Sequence, residues 1–393
     1  MPVLRLLPIV LFVFVLLMPA LSGITGYAIS PPLLENRVLT ARPVATDYFN
    51  EEKLDWLGYS TQFNGWFSDG FPTRDFWVRL HGQVQYSLFH DSNRVHIGPE
   101  NWLYYRSVLD VENPSLERIS QQERQAMAQR LQQLSAQLAA RGITLYILPM
   151  ALKDYYYPEF LPASGKHALQ FRFFDLYMDE LLANGAIKVI DSRPILRQAK
   201  QSGLKIFHQT DFHWTDPASA RVFQPLLAAM AEQEQKPALA NQWQVETVEM
   251  GNWSGGESNA LPLLWPRTET TVGARFTGTP TEFTAQTPLP AGVESAAITA
   301  TAREDLLAPV LIFGDSFFDG AERAGFLNFF QAYTRSRVWT YDLVEAYRNR
   351  QSGTRYLVLE NITGAIYGMD AAVTKLIAEL ATEPAAAPTI VNP

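Results

Sequence analysis

The chain has 393 residues, 47% hydrophobic and 12% aromatic, with 32 Lys and Arg against 40 Asp and Glu for a net charge of −8. That much apolar matter fills one large core or two modest ones, and an acidic balance without any basic run argues against nucleic acid as a partner, because phosphate recognition needs clustered Lys and Arg. Cysteine is absent, which excludes disulfides, Cys-based zinc sites, thiol catalysis and lipoprotein lipidation, and leaves the compartment open.

From Leu6 to Leu34 there is no charged residue, and residues 6–21 are almost wholly apolar. A helix of about 20 such residues crosses a hydrocarbon core of about 30 Å. Arg5 precedes the run, so the positive-inside rule puts the N-terminus in the cytoplasm and the rest of the chain outside it. Ala20, Ser22, Ala28 and Ser30 are small enough for signal-peptidase cleavage, yet the run is long for a signal peptide. Residues 1–30 are therefore expected to be an uncleaved inner-membrane anchor, with a cleaved signal peptide as the alternative. Residues 31–90 read as a linker broken by Pro31, Pro32 and Pro43, then an aromatic- and arginine-rich helical extension over 48–89.

The segment 91–382 alternates. Residues 95–105 read as a hairpin turning at Gly98-Pro99. Ser120-x-x-Glu123 is a capping box, and it opens a helix whose apolar face is Met127, Leu131, Leu134 and Leu138 until Gly142 stops it. A buried strand over 143–150 follows, then a helix near 168–184, a strand at 187–190, a helix from Arg193 and a short strand at 205–208 that delivers the chain to Asp211. Asp216-Pro217 caps a further helix to about 235. Residues 236–305 change to Thr, Pro, Gly and Glu and read as a loop and β insertion. The core resumes with an apolar strand at 309–313, strands near 338–341 and 356–359 and a helix at 371–380. Residues 383–393 read as a disordered tail. Such alternation implies an α/β fold with a doubly wound, mostly parallel sheet flanked by helices, its site at the carboxyl ends of the strands.

Two short motifs carry chemistry. In Gly314-Asp315-Ser316, glycine lets the strand turn sharply, so Ser316 stands at a strand-to-helix turn with backbone N–H groups beside it. Alone, such a tripeptide is more often a capped loop. Thr210-Asp211-Phe212-His213-Trp214-Thr215 places a carboxylate and an imidazole two residues apart, the base and the orienting group that a serine nucleophile needs. Asp315 reads as a cap ahead of a polarising group, and the Ser316 N–H as the expected oxyanion donor. His208, Asp211 and His213 also have ligand-like spacing, so a metal site is the competing reading. The expectation is no metal and no cofactor.

The GDS turn followed by an aromatic, the DxHWT segment and Gly98-x-x-Asn-Trp102-Leu-Tyr-Tyr together resemble the AlgJ/AlgX family of bacterial polysaccharide O-acetyltransferases, from about Glu35-Asn36-Arg37 to Glu360. The resemblance implies a permuted SGNH-hydrolase-like domain. It implies an exported acetyltransferase, periplasmic and anchored to the inner membrane, with a polysaccharide acceptor and a membrane-bound acetyl-donating partner protein. Ser316, His213 and Asp211 would form its triad. Lys153 and Tyr155, in a stretch similar to one of the family's, and Trp214 beside the triad are candidates for sugar stacking or pocket walls, against ordinary packing. Gly251-Asn252-Trp253 falls near a glycine-containing turn of the family without a firm match. A periplasmic carbohydrate esterase and a silent glycan-binding scaffold are the alternatives. A reporter active only in the cytoplasm, fused at the C-terminus, should stay silent; signal from it would overturn the topology.

Overall fold

Three runs, Thr144–Met150, Val310–Gly314 and Tyr356–Ile362, are buried at nearly every position, the pattern of strands covered on both faces of a parallel sheet. The computed structural model describes residues 2–33, 38–50, 53–163, 172–286, 289–298, 305–337 and 342–382. The strands are β1 (Val95–Ile97), β2 (Leu103–Tyr105), β3 (Thr144–Met150), β4 (Lys188–Val189), β5 (Val245–Trp253), β6 (Glu269–Phe276), β7 (Phe283–Ala285), β8 (Val293–Ile298), β9 (Val310–Gly314), β10 (Ala332–Arg337) and β11 (Tyr356–Ile362). Seven of them form one mixed sheet in the order β4-β3-β11-β9-β10-β8-β7. From β4 to β10 the neighbours are parallel, and β8 and β7 add an antiparallel edge. β9, with β11 and β10 on its two sides, is an interior strand.

The chain forms two compact units, residues 1–93 with 258–267, and residues 94–257 with 268–393. In the first, α1 (Pro2–Thr25) is long and apolar enough to cross a membrane, and α2 (Trp56–Asp69) and α3 (Arg74–Val84) follow. The second holds the sheet. The capping box at Ser120 and Glu123 opens Gln121–Ala139, which buries Met127, Leu131, Leu134 and Leu138 as expected, and the helix expected from Arg193 is Ser192–Gln201, capped by Asp191.

Several elements differ from expectation. Residues 205–208 make no strand; a single bridge between Phe207 and Trp214 replaces it, because this chain folds back on itself in a tight loop. Thr215, not Asp216, is the N-cap of Asp216–Gln233. The insertion is only partly separate, since β5 and β6 pair with each other while β7 and β8 extend the main sheet. The helix expected near 168–184 is described over Phe173–Ala183, and the closing helix is longer than expected, Ile366–Thr382. Glu35-Asn36-Arg37, the strand expected at 338–341 and the tail lie outside the described residues.

Candidate active site

β9 ends at Gly314, and the chain turns through Asp315, Ser316 and Phe317 into the short helix Phe318–Arg323. A Cβ at position 314 would sit 2.8 Å from Glu360 Oε2, so a larger residue there would displace the Glu360 carboxylate. Asp315 is the clamp of this turn: its Oδ1 accepts the Phe317 N–H at 2.8 Å and its Oδ2 accepts the Ile362 N–H at 2.9 Å. The Asp315 N–H in turn donates to Glu360 Oε2 at 3.1 Å. Burial pushes both carboxyls up, Glu360 strongly and with reinforcement from the Asp315 charge. Capping is thus what Asp315 does. It also occupies the Phe317 N–H, and among the described residues only the Ser316 N–H of this turn is left with no acceptor.

The second motif sits on the loop between Lys205 and Asp216. Its ends are tied by Thr215 N–H to the Ile206 carbonyl at 3.0 Å and His208 N–H to the His213 carbonyl at 3.1 Å. Two buried charges of opposite sign hold its tip. Glu269, on β6, accepts the N–H groups of Gln209 and Thr210 and the Thr210 hydroxyl, and pairs with Lys205. Lys153 Nζ donates to the carbonyl oxygens of Asp211, Gln209 and His208, at 3.0, 3.4 and 3.5 Å, and forms an ion pair of 2.9 Å with Glu257. Both members of that pair are 2% exposed or less. Burial pushes the Glu257 carboxyl up to about 7, with the Lys153 ammonium opposing and Asp211 adding to the rise.

These two loops bring the three expected residues together. Ser316 Oγ lies 2.6 Å from His213 Nε2, and His213 Nδ1 lies 2.9 Å from Asp211 Oδ1. Ser316 and His213 are partly exposed while Asp211 is buried. Burial pushes the Asp211 carboxyl up, but the hydrogen bond and charge of His213 outweigh it, and the carboxyl ends well below the usual range. The imidazole is set between Phe212 and Phe317, at ring distances of 4.0 and 5.2 Å. Arg323 and Asp216 join the helices that follow the two loops, at 2.7 and 3.0 Å. The arrangement has the spacing of a relay in which a serine proton passes to an imidazole oriented by a carboxylate.

The three residues proposed to touch substrate are held elsewhere. Trp214 is 2% exposed and donates its indole N–H to the Phe317 carbonyl at 2.8 Å, so it anchors the serine turn and offers no wall. Lys153 is buried under the loop, as described. The Tyr155 hydroxyl donates to Asp175 at 2.6 Å, and its ring packs edge to face on Phe174 with the Arg197 guanidinium over it. Lys153 and Trp214 are buried in these contacts, and Tyr155 is half-buried among its partners. His208 turns away from the triad: its Nδ1 is 2.8 Å from Thr271 Oγ1 and its ring stacks on Trp253 at 4.9 Å.

Sequence reasoning missed the supports. Gly255, rather than Gly251, meets the site, since a Cβ there would lie 1.9 Å from Asp211 Oδ2. Asn252 is exposed on β5, paired with Thr270 of β6. Glu257, Glu269 and Glu360 come from segments distant in sequence, and the only signal for the first two was an acidic residue inside an otherwise Thr- and Gly-rich stretch.

A mostly parallel sheet with a serine turn at the carboxyl end of an interior strand defines the class, an SGNH-hydrolase-like α/β domain with an N-terminal apolar helix. Residues 95–346 match the family described as the SGNH hydrolase-like domain of acetyltransferase AlgX, and the chain belongs to that family. A probable alginate O-acetylase AlgJ of Pseudomonas fluorescens is 31% identical over 170 residues, which are 41% of this chain and 40% of that protein. The chain therefore matches well under half the length of that relative. The O-acetyltransferase domain of Pseudomonas putida AlgJ is 17% identical with a TM-score of 0.43 over 73% of this chain and 98% of that one. Bacillus cereus PatB1 is 12% identical with a TM-score of 0.49 over 71% and 96%.

The buried His208 gives a pH dependence with a defined sign. Burial pushes its imidazole down to about 4, against partial opposition from Asp211 and Glu269. The unfolded chain takes up this proton near pH 6.5 and the native one only near 4, so the stability tied to His208 is complete above about pH 6.5 and is lost as pH falls towards 4. Glu257, held up at about 7, contributes the opposite slope, so a difference between variants isolates the effect. In denaturant unfolding, His208→Asn should lose about 2–3 kcal/mol less than the wild type between pH 7.5 and 4.5; equal losses would contradict this account.

Proposed function

We propose that the chain is an exported O-acetyltransferase that moves acetyl groups onto hydroxyls of an alginate-like exopolysaccharide through an acetyl-serine intermediate. The observation that carries this reading is the continuous relay from Ser316 Oγ through His213 to Asp211, at 2.6 and 2.9 Å. Membership of the AlgX acetyltransferase family and the name of the Pseudomonas fluorescens relative support the group transferred and the polymer class.

In the first half-reaction His213 Nε2 takes the Ser316 proton as Oγ attacks the acetyl carbonyl of the donor. Charge develops on the carbonyl oxygen, and the Ser316 N–H is positioned to meet it. His213 then returns the proton to the leaving group. In the second, His213 removes the proton of a sugar hydroxyl, whose oxygen attacks the acetyl-serine, and the proton goes back to Ser316 as the ester leaves. Asp211 accepts the Nδ1–H, fixes the tautomer and stabilises the imidazolium, a role that fits a carboxyl held ionised by His213 itself. No cofactor takes part. Outside the cytoplasm there is no acetyl-CoA pool to draw on, so the donor is presented by a membrane-bound partner protein. The catalytic unit works in the periplasm, with α1 as its inner-membrane anchor.

With an activated acetyl ester as surrogate donor and an alginate-type oligosaccharide as acceptor, Ser316→Ala and His213→Ala should each lower transfer by about 10⁴-fold or more, and Asp211→Asn by one to two orders less. The double variant should be no worse than either of the first two. Transfer by Ser316→Ala at the wild-type rate would sink the triad. Acetyl groups passed only to water would make the enzyme an esterase.

A further inference from the structure

Helix α2 departs from the pattern of a helix that faces water. Between Trp56 and Ser68 it carries no charged residue, whereas a surface helix places charge and polarity on its outer side. Trp56, Ser60, Phe63 and Phe67, at steps of four, three and four, share one stripe. That stripe is outward, with Trp56 65%, Phe63 39% and Phe67 51% exposed.

The stripe is continuous with the end of α1. Rings run in succession from Phe49 to Trp56 and Tyr59, at 4.5 and 5.2 Å, then Tyr59 to Phe63 at 6.2 Å, Phe63 to Phe67 at 6.1 Å and Phe67 to Phe71 at 5.8 Å. The next residue, Pro72, is where α1 docks. Ser22 Oγ donates to the Pro72 carbonyl at 3.3 Å, and a Cβ on Gly23 would lie 3.3 Å from Pro72 Cγ. Ser22 and Gly23 are in the last turn of α1, the turn that emerges from a membrane spanned by that helix. With α1 spanning a membrane, the aromatic row starts at the bilayer surface. Trp and other aromatic side chains are stabilised there, with rings among the acyl carbons and polar edges among the headgroups.

We propose that the Trp56–Phe67 stripe of α2 lies in the lipid headgroup and acyl boundary on the exported side of the membrane that α1 spans, as a second and in-plane attachment of the first unit. The inference rests on the anchor reading above, and its occupant is phospholipid. Arg42, with its guanidinium 5.4 Å above the Trp66 ring, supplies a cation beside the row of the kind that meets lipid phosphates.

The absence of native cysteine makes the test direct. The full chain, carrying a single nitroxide at Leu11→Cys, Ser60→Cys, Phe67→Cys or Gln125→Cys, is placed in vesicles of phosphatidylethanolamine and phosphatidylglycerol. Relaxation by oxygen is then compared with relaxation by a water-soluble nickel chelate. Ser60→Cys is a near-isosteric change at an exposed position of the stripe, so it keeps the test valid if the Phe67 variant does not fold. Labels at 60 and 67 should favour oxygen, as at Leu11, while the exposed Gln125 position favours nickel. Labels at 60 and 67 that match Gln125 while Leu11 stays in lipid would overturn the proposal alone, and would be the outcome if a protein covers this face. A water-accessible Leu11 label would overturn the anchor reading and this inference with it.

Discussion

The loop that carries Asp211 and His213 is held by two opposite buried charges that read the two polarities of its backbone. Glu269 takes its N–H groups, and Lys153 takes its carbonyls. A loop this short has too few residues to satisfy its own backbone, and a buried unpaired polar group costs about 1–3 kcal/mol. The two side chains meet that need and at the same time leave the loop one conformation. The Lys153–Glu257 pair is not a simple source of stability, because taking both charges out of water offsets much of their attraction; loss of one partner would still cost about 3–5 kcal/mol by stranding the other. Its consequence lies in geometry. Asp211 is fixed through its own carbonyl, and the imidazole follows.

The serine turn is fixed by the same logic from the other side. Asp315 bridges from Phe317 to Ile362, and Glu360 holds the Asp315 N–H from within β11. Ser316 is thus tied to two adjacent parallel strands, while the His213 loop is tied to residues after β3 and on β6. Trp214 joins the halves by donating to the Phe317 carbonyl, and Arg323 with Asp216 joins the helices behind them. Two separately braced loops, coupled by a buried indole, can hold a serine–imidazole contact of 2.6 Å without a rigid ligand between them. Preorganisation of this kind is what electrostatic catalysis requires.

What the sequence made legible was whatever is local. The Gly-Asp-Ser turn, the Asp-x-His pair, the capping box at Ser120 and the apolar strands at 143–150 and 309–313 are all set by neighbours a few residues apart, and each stands close to where it was read. What it concealed depends on distant partners. Glu257, Glu269 and Glu360 read as ordinary acidic residues, and only the fold brings them against a backbone. Lys153, Tyr155 and Trp214 looked available to a sugar because aromatic and cationic residues near a motif suggest binding; burial takes Lys153 and Trp214 from the surface, while the half-buried Tyr155 is engaged by Asp175, Phe174 and Arg197. The segment 205–208 has strand composition, but its hydrogen bonds close a loop instead of joining a sheet, and no local pattern distinguishes the two. Short strands were expected in the insertion, but that β8 and β7 join the main sheet as an antiparallel edge was hidden for a similar reason, since a strand of three to six residues carries little sign of its partner.

The central proposal is that Ser316 Oγ carries the acetyl group. The most direct measurement is mass spectrometry of the full-length enzyme quenched in acid seconds after mixing with an activated acetyl ester and no acceptor, followed by peptide mapping. The account predicts one acetyl group per chain, located on Ser316, and its disappearance when an oligosaccharide is added before the quench. An acetyl group on a different residue that is discharged to the acceptor at the catalytic rate, or steady transfer with Ser316 never modified, would contradict it.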